Sequence, residues 1–198
     1  MTSVPCALAL GSLLFASLVL PAAVFGQPAD EDIDLFGAAQ AGDAGQIRQC
    51  AAHGCPLNLR DDRERTPLHY AAMRHQHEAV AALLEAGADA GARDRQGYTP
   101  LAFAGTDKYI IESMLARGAS PNARHSQGGT LLEHAIRTED TELAGLLLSY
   151  GASLRFDDGL TAFDLFDASP TLEAKFKEAG IYQRMEVLAR APGQTPVR

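Results

Sequence analysis

The tetrapeptide Ala86-Gly87-Ala88-Asp89 returns as Arg117-Gly118-Ala119-Ser120, as Tyr150-Gly151-Ala152-Ser153 and more faintly as His53-Gly54-Cys55-Pro56. Its glycines stand 33, 31 and 33 residues apart, and a second marker, Thr66, Thr99, Thr130 and Thr161, keeps step with them. A recurrence of this length makes each unit one supersecondary element that cannot bury its apolar face alone. The units must therefore stack, and the stacking supplies the core.

Within a unit the apolar residues fall at helical spacings, as at Val80, Leu83 and Leu84, so each helix carries one buried stripe. Taking two helices per unit, the first supplies a leucine column, Leu35, Leu68, Leu101 and Leu132, and an alanine column, Ala38, Ala71, Ala104 and Ala135. The second supplies Ile47, Val80, Ile111 and Ala144, with Cys50, Leu83, Met114 and Leu147 one turn on. Alanine lets neighbouring helices approach closely, and leucine fills the space between units. Thr followed by Pro is an N-cap followed by a residue whose missing N–H costs nothing at the first helical position. The glycines close the second helices in a left-handed cap.

Thr66-Pro67-Leu68-His69-Tyr70-Ala71 matches the ankyrin-repeat signature in full. The next unit keeps Thr99-Pro100-Leu101 and Ala104, and the one after keeps Thr130, Leu132 and Ala135. The chain thus resembles the ankyrin-repeat family. The resemblance implies an all-α solenoid of helix-turn-helix units joined by β-hairpin-like turns. The units run over about 33–65, 66–98, 99–129 and 130–160, with a degenerate cap at 161–180, a short helix at 181–190 and a disordered tail beyond Pro192. Phe163 and Phe166 fill the leucine and alanine columns of that cap, as suits a last unit with nothing stacked beyond it. The third unit is two residues short around Gly105-Thr106-Asp107, and the fourth has a shortened turn at Phe156-Asp157-Asp158-Gly159. Both predict local distortion.

Residues 1–26 contain no charged side chain and are apolar from Ala7 to Leu20, after which Pro21 breaks the run and small residues follow. That order is a secretory signal peptide cut after Gly26, leaving 27–32 as a linker. No Lys or Arg precedes the run, which keeps an uncleaved membrane anchor as the alternative. Cys6 lies before the run and does not suit a lipid anchor. A formal net charge of −8, with both signs mixed along the chain, argues against nucleic acid and anionic membrane surfaces as partners. Export and a composition rich in Ala and Arg point to a bacterial periplasm.

In this register His75, Gln76 and His77 fall at the turn between the two helices of the second unit. Two histidines on a turn hold a metal only where further ligands converge, and the matching turns Gly42-Asp43, Thr106-Asp107 and Glu139-Asp140 offer neither His nor Cys. The chain lacks a Gly-x-Ser-x-Gly elbow, a phosphate loop, His-Glu-x-x-His and zinc-knuckle cysteines, so neither catalysis nor a cofactor is expected. With Gly54 closing its helix, Cys50 and Cys55 occupy the two positions that a Schellman cap brings together. They read either as a disulfide, contributing about 2 kcal/mol, or as two small buried hydrophobes in contact.

What remains is a surface. The family resemblance implies that a partner protein, in the periplasm, docks on the turn tips and the concave face of the first helices, while the chain itself is a monomer. Carried over by register, those positions are Arg65, Tyr70, Met73, Arg74, Arg95, Tyr98, Phe103, His125, His134 and Arg137, a set containing the aromatic, Met and Arg types enriched at interfaces. The function expected is non-catalytic binding that supports or inhibits a periplasmic protein. The alternative is a metal-binding or redox-active protein using His75 and His77 or Cys50 and Cys55.

Overall fold

A computed structural model describes residues 34–190. The signal peptide, its cleavage point, the anchor alternative, the linker at 27–32 and the tail beyond Pro192 lie outside the described residues. Helices come in pairs: α1 (Leu35–Ala41) with α2 (Ala44–Ala52), α3 (Pro67–Met73) with α4 (His77–Glu85), and α6 (Leu131–Arg137) with α7 (Thr141–Ser149). Between the last two pairs stand a 3-10 turn, Pro100–Phe103, and α5 (Lys108–Ala116). The chain closes with α8 (Ala162–Asp167), α9 (Pro170–Glu178) and α10 (Ile181–Ala189). Among the described residues no strand forms, and the arms of two turns meet only at the isolated bridges Arg124–Thr130 and Arg155–Thr161. The fold is an all-α repeat solenoid.

Every member of the leucine, alanine and second-helix columns is buried, none more than 4 % exposed. One continuous core therefore runs through the stack. The helix ends explain why the period holds. Asp43, Asp107 and Asp140 each precede a second helix and accept an N–H from its first turn, at Gln46, Ile110 and Leu143. At the other end Gly54, Gly87, Gly118 and Gly151 all adopt the left-handed conformation, with φ between 77° and 93°. The next residue's N–H then reaches back to close the cap, as Cys55 to Cys50, Ala88 to Leu83, Ala119 to Met114 and Ala152 to Leu147, at 2.9–3.0 Å.

The third unit accommodates its missing residues in the first helix. Thr99 starts it as Thr66 starts the second, yet only a single 3-10 turn forms before Gly105 turns left-handed at φ 58°. The fourth unit differs from expectation. Phe156–Leu160 is a full turn, closed by the Phe156 N–H on the Leu160 carbonyl at 2.8 Å, like the turns before it. The shortening lies upstream, where Phe156 follows Gly151 by five positions whereas Asp94 follows Gly87 by seven. A turn fixed by its own hydrogen bond cannot lose a residue, whereas the irregular arm before it can.

The end of the stack also differs. Phe166 is 2 % exposed rather than facing open space, because α9 and α10 fold over it. Its ring meets Phe176 at 5.2 Å and Tyr182 at 5.5 Å, and Tyr182 meets Phe163 at 5.7 Å. Helix α10 also lies against α7, so closely that a Cβ on Gly145 would stand 3.0 Å from Ile181 Cδ1.

Candidate partner-binding face

The tips are built by a column of residues that organise their own loops. Asp61 donates its N–H to the Arg65 carbonyl at 3.1 Å, while its Oδ1 accepts from the N–H groups of Arg63 and Arg65 at 2.9 and 2.8 Å. Asp94 repeats this with Tyr98, Gln96 and Tyr98 again. In the third tip His125 stands in the aspartate's place and its Nδ1 accepts from Gln127 N–H at 3.2 Å. Phe156 holds the same position in the fourth tip, buried. Sequence reasoning overlooked this column. Its signal was the Arg-Asp pair at 60–61 returning at 93–94.

The same aspartates tie the tips to the first helices and to one another. Tyr70 donates its hydroxyl to Asp61 Oδ2 at 2.5 Å. Slight burial works to raise the Asp61 pKa, but the bonds from Tyr70 and the two backbone N–H groups outweigh it and the carboxyl is held low. Tyr70 is raised, first by the hydrogen bond to Asp61 and then by burial. Asp94 is 5 % exposed and pairs with Arg65 of the preceding tip, Nε to Oδ2 at 3.4 Å. The Arg65 guanidinium also lies 5.0 Å above the Phe103 ring. Phe103 in turn meets Tyr98 edge-on at 5.9 Å, and Phe36 meets Tyr70 likewise.

His69 fastens this layer from beneath. It is fully buried, its Nδ1 accepts the Thr66 N–H at 3.0 Å, and its Nε2 lies 3.2 Å from the Tyr98 carbonyl. Those partners require the neutral ring protonated at Nε2. Burial holds its pKa below the ordinary value, even against the favourable Tyr98 carbonyl.

Arg65, Tyr70, Tyr98 and Phe103 are therefore half-buried members of one fixed network, with Met73 half-buried nearby and Arg74 and Arg95 exposed. Arg137 is exposed and pairs with Glu133 on its own helix at 2.9 Å. One expected contact residue is placed differently. His125 is 2 % exposed, turned inward by its aspartate-like role, and its ring stacks on the half-buried His134 at 4.2 Å. Burial first, and His134 second, lower its pKa. His134 is thus the member of the pair that meets solvent.

The two histidines of the second-unit turn both face Asp107 of the next unit, His77 Nε2 at 2.6 Å and His75 Nδ1 at 3.5 Å from the same oxygen. Partial burial works to raise the Asp107 pKa, and the His77 hydrogen bond, the Ile110 N–H and the two imidazoles together bring it below the usual range. The turn is a seam between units. Among the described residues no group of His, Cys, Asp and Glu is arranged to hold a metal ion, and no helix is long and apolar enough to cross a membrane. Cys50 and Cys55 come together at the helix cap with Cα atoms 5.2 Å apart, inside the roughly 4.4–6.8 Å that a disulfide spans.

Residues 35–125 match the family model for ankyrin repeats in three copies. Over 147 residues the chain is 33 % identical to the ankyrin repeat and SOCS box protein 6 of Homo sapiens, covering 67 % of this chain and 35 % of that protein. It is 31 % identical over 134 residues to the human SH3 and multiple ankyrin repeat domains protein 2, covering 66 % of this chain and 7 % of the relative. A shorter match, 43 % identical over 58 residues, is to the NF-kappa-B inhibitor alpha of Sus scrofa, 29 % of this chain and 18 % of that protein. The chain spans about a third or less of the length of these relatives.

Proposed function

Because this chain is an ankyrin-repeat protein, and such repeats are in general a non-enzymatic protein-interaction fold, we propose that it is a binding module for a protein of the bacterial periplasm, which it supports or inhibits. The contact set is Arg65, Tyr70, Met73, Arg74, Arg95, Tyr98, Phe103, His134 and Arg137. The observation that carries this reading is the network joining Asp61, Tyr70, Arg65, Asp94 and Phe103 across three units. It holds large side chains half-exposed in fixed positions, so binding loses little conformational entropy.

Export with cleavage after Gly26 rests on the uncharged apolar N-terminus, and the placing of Cys50 against Cys55 suits an oxidising compartment in which they are bonded. The test is an affinity capture from periplasmic extract with the C-terminally tagged chain, beside a variant carrying Tyr70→Ala, Tyr98→Ala and Phe103→Ala. The expected result is a partner held by the native chain and lost by a variant that still melts cooperatively. A folded variant that retains the partner refutes this face. Intact mass of the exported protein reports both the cleavage and the two-hydrogen deficit of the disulfide.

A further inference from the structure

Each turn tip is preceded by an arginine: Arg60 before Asp61, Arg93 before Asp94, Arg124 before His125 and Arg155 before Phe156. All four are exposed. In the last three arms the arginine stands between two buried residues, as Arg93 does between Ala92 and Asp94, so the pleat turns one guanidinium outward per unit. The first two are braced, Arg60 Nη1 donating to the Arg93 carbonyl at 2.8 Å and Arg93 Nη1 to the Gly97 carbonyl at 3.4 Å. Arg60 and Arg124 also face exposed carboxylates, Glu64 at 3.6 Å and Asp157 at 2.9 Å. Such surface pairs exchange readily for an incoming anion. Among the described residues Arg93 and Arg155 have no carboxylate partner.

We propose that this arginine column is a docking ladder for an extended acidic segment of a partner protein, with an Asp or Glu at about every third residue. The proposal rests on the binding-module reading and gives its partner a chemistry. Stacked units repeat at about 10 Å, and three residues of extended chain at about 3.3 Å each cover the same distance. One carboxylate then meets one guanidinium, the pairing for which the planar fork is shaped. Because the chain carries a net charge of −8, its overall field repels an anion. Screening within about 10 Å at ordinary salt leaves only local positive charge to attract one.

The probe is a fluorescein-labelled peptide of four Glu-Ser-Gly triplets, with a control peptide of the same composition whose four Glu are contiguous, each titrated by anisotropy against the full chain. The spaced peptide is expected to bind about fivefold more tightly than the contiguous one, in a salt-dependent manner. Reversing the unpaired rungs, Arg93→Glu with Arg155→Glu, is expected to weaken it about tenfold or more. Arg48→Glu with Arg184→Glu, the same change of net charge placed on helices away from the arms, should leave it within about twofold. Equal affinity for the two peptides, equal loss in the two variants, or no binding overturns the ladder. If the protein captured from extract is retained by Arg93→Glu with Arg155→Glu, the ladder falls while the module reading stands; loss of the module reading itself is seen in the capture by the native chain.

Discussion

The second and third units open on the same three residues, Thr-Pro-Leu, and then part at the fourth, where the second has His69 and the third Ala102. In the second, His69 accepts the Thr66 N–H, and Thr66 Oγ1 lies 2.9 Å from the same Nδ1 above a seven-residue helix. In the third, Ala102 offers no partner, Thr99 Oγ1 is buried without one, and the helix shrinks to a four-residue 3-10 turn. One imidazole thus links the start of a helix to the next tip through the Tyr98 carbonyl, and a methyl group in its place leaves a hydroxyl unsatisfied. Apolar columns hold both units in the stack. Polar caps decide how well each helix start is satisfied, while the two missing residues shorten the first helix of the third unit.

The comparison can be broken at several points. Truncating the fully buried Leu68 by Leu68→Ala should have the largest effect, about 2–5 kcal/mol in urea unfolding. A loss below about 1 kcal/mol would show that the stack relaxes around the gap. His69→Ala should cost about 1–3 kcal/mol, since it strands the buried Thr66 N–H and takes one of two donors from the Tyr98 carbonyl, which keeps the Asp94 N–H. Exchanging the two threonines for valine sharpens the contrast: Thr66→Val is expected to destabilise by about 1 kcal/mol, and Thr99→Val, which removes an orphan, to be neutral or stabilising. Equal costs would mean that the two hydroxyls are equally satisfied.

Acid tests the same imidazole. The folded-state pKa values of His69 and His125 are lowered, so the unfolded chain takes up protons first, near pH 6.5. Stability is then full above that pH and is lost as pH falls through it towards the folded values. Thermal melts between pH 7.5 and 5 should show this decline, and His69→Gln should flatten the part due to His69. The smallest effect belongs to the seam. Asp107→Asn keeps a capping side chain but loses its charge toward His75 and His77, an expected loss of about 0.5 kcal/mol that 1 M salt erases. Persistence in salt would assign the loss to the cap.

Most of the stack was legible because its determinants are periodic. The columns from Leu35 to Leu132 and from Ile47 to Ala144 need only a count of residues and the 3.6-residue turn, and the four glycines mark the helix ends. The hairpin tips were harder, because Asp61, Asp94, His125 and Phe156 share a position without sharing a chemistry; only the first two announce each other. The place of His125 in the tip predicts a contact, whereas its burial follows from replacing an inward-facing aspartate. Asp107 reads from sequence as part of a short turn, and nothing within its own unit points to histidines that come from the unit before. The C-terminal cap was underestimated for a similar reason. Phe166, Phe176 and Tyr182 belong to three helices, and no spacing rule links them.

The two deletions were absorbed in different places, one in a first helix at Gly105 and the other in the arm between Gly151 and Phe156, while every tip kept its closing hydrogen bond. For an engineer this divides the chain into editable and fixed segments. A reporter peptide or an epitope inserted at Gly105-Thr106 replaces length that the unit already lacks and leaves the neighbouring tips aligned. A single residue added between Asp94 and Tyr98 displaces the Asp94 carboxylate from the N–H groups of Gln96 and Tyr98 and uncouples it from Arg65. Grafted cargo therefore belongs on the helix-turn edge, where natural variation in length has already been tolerated.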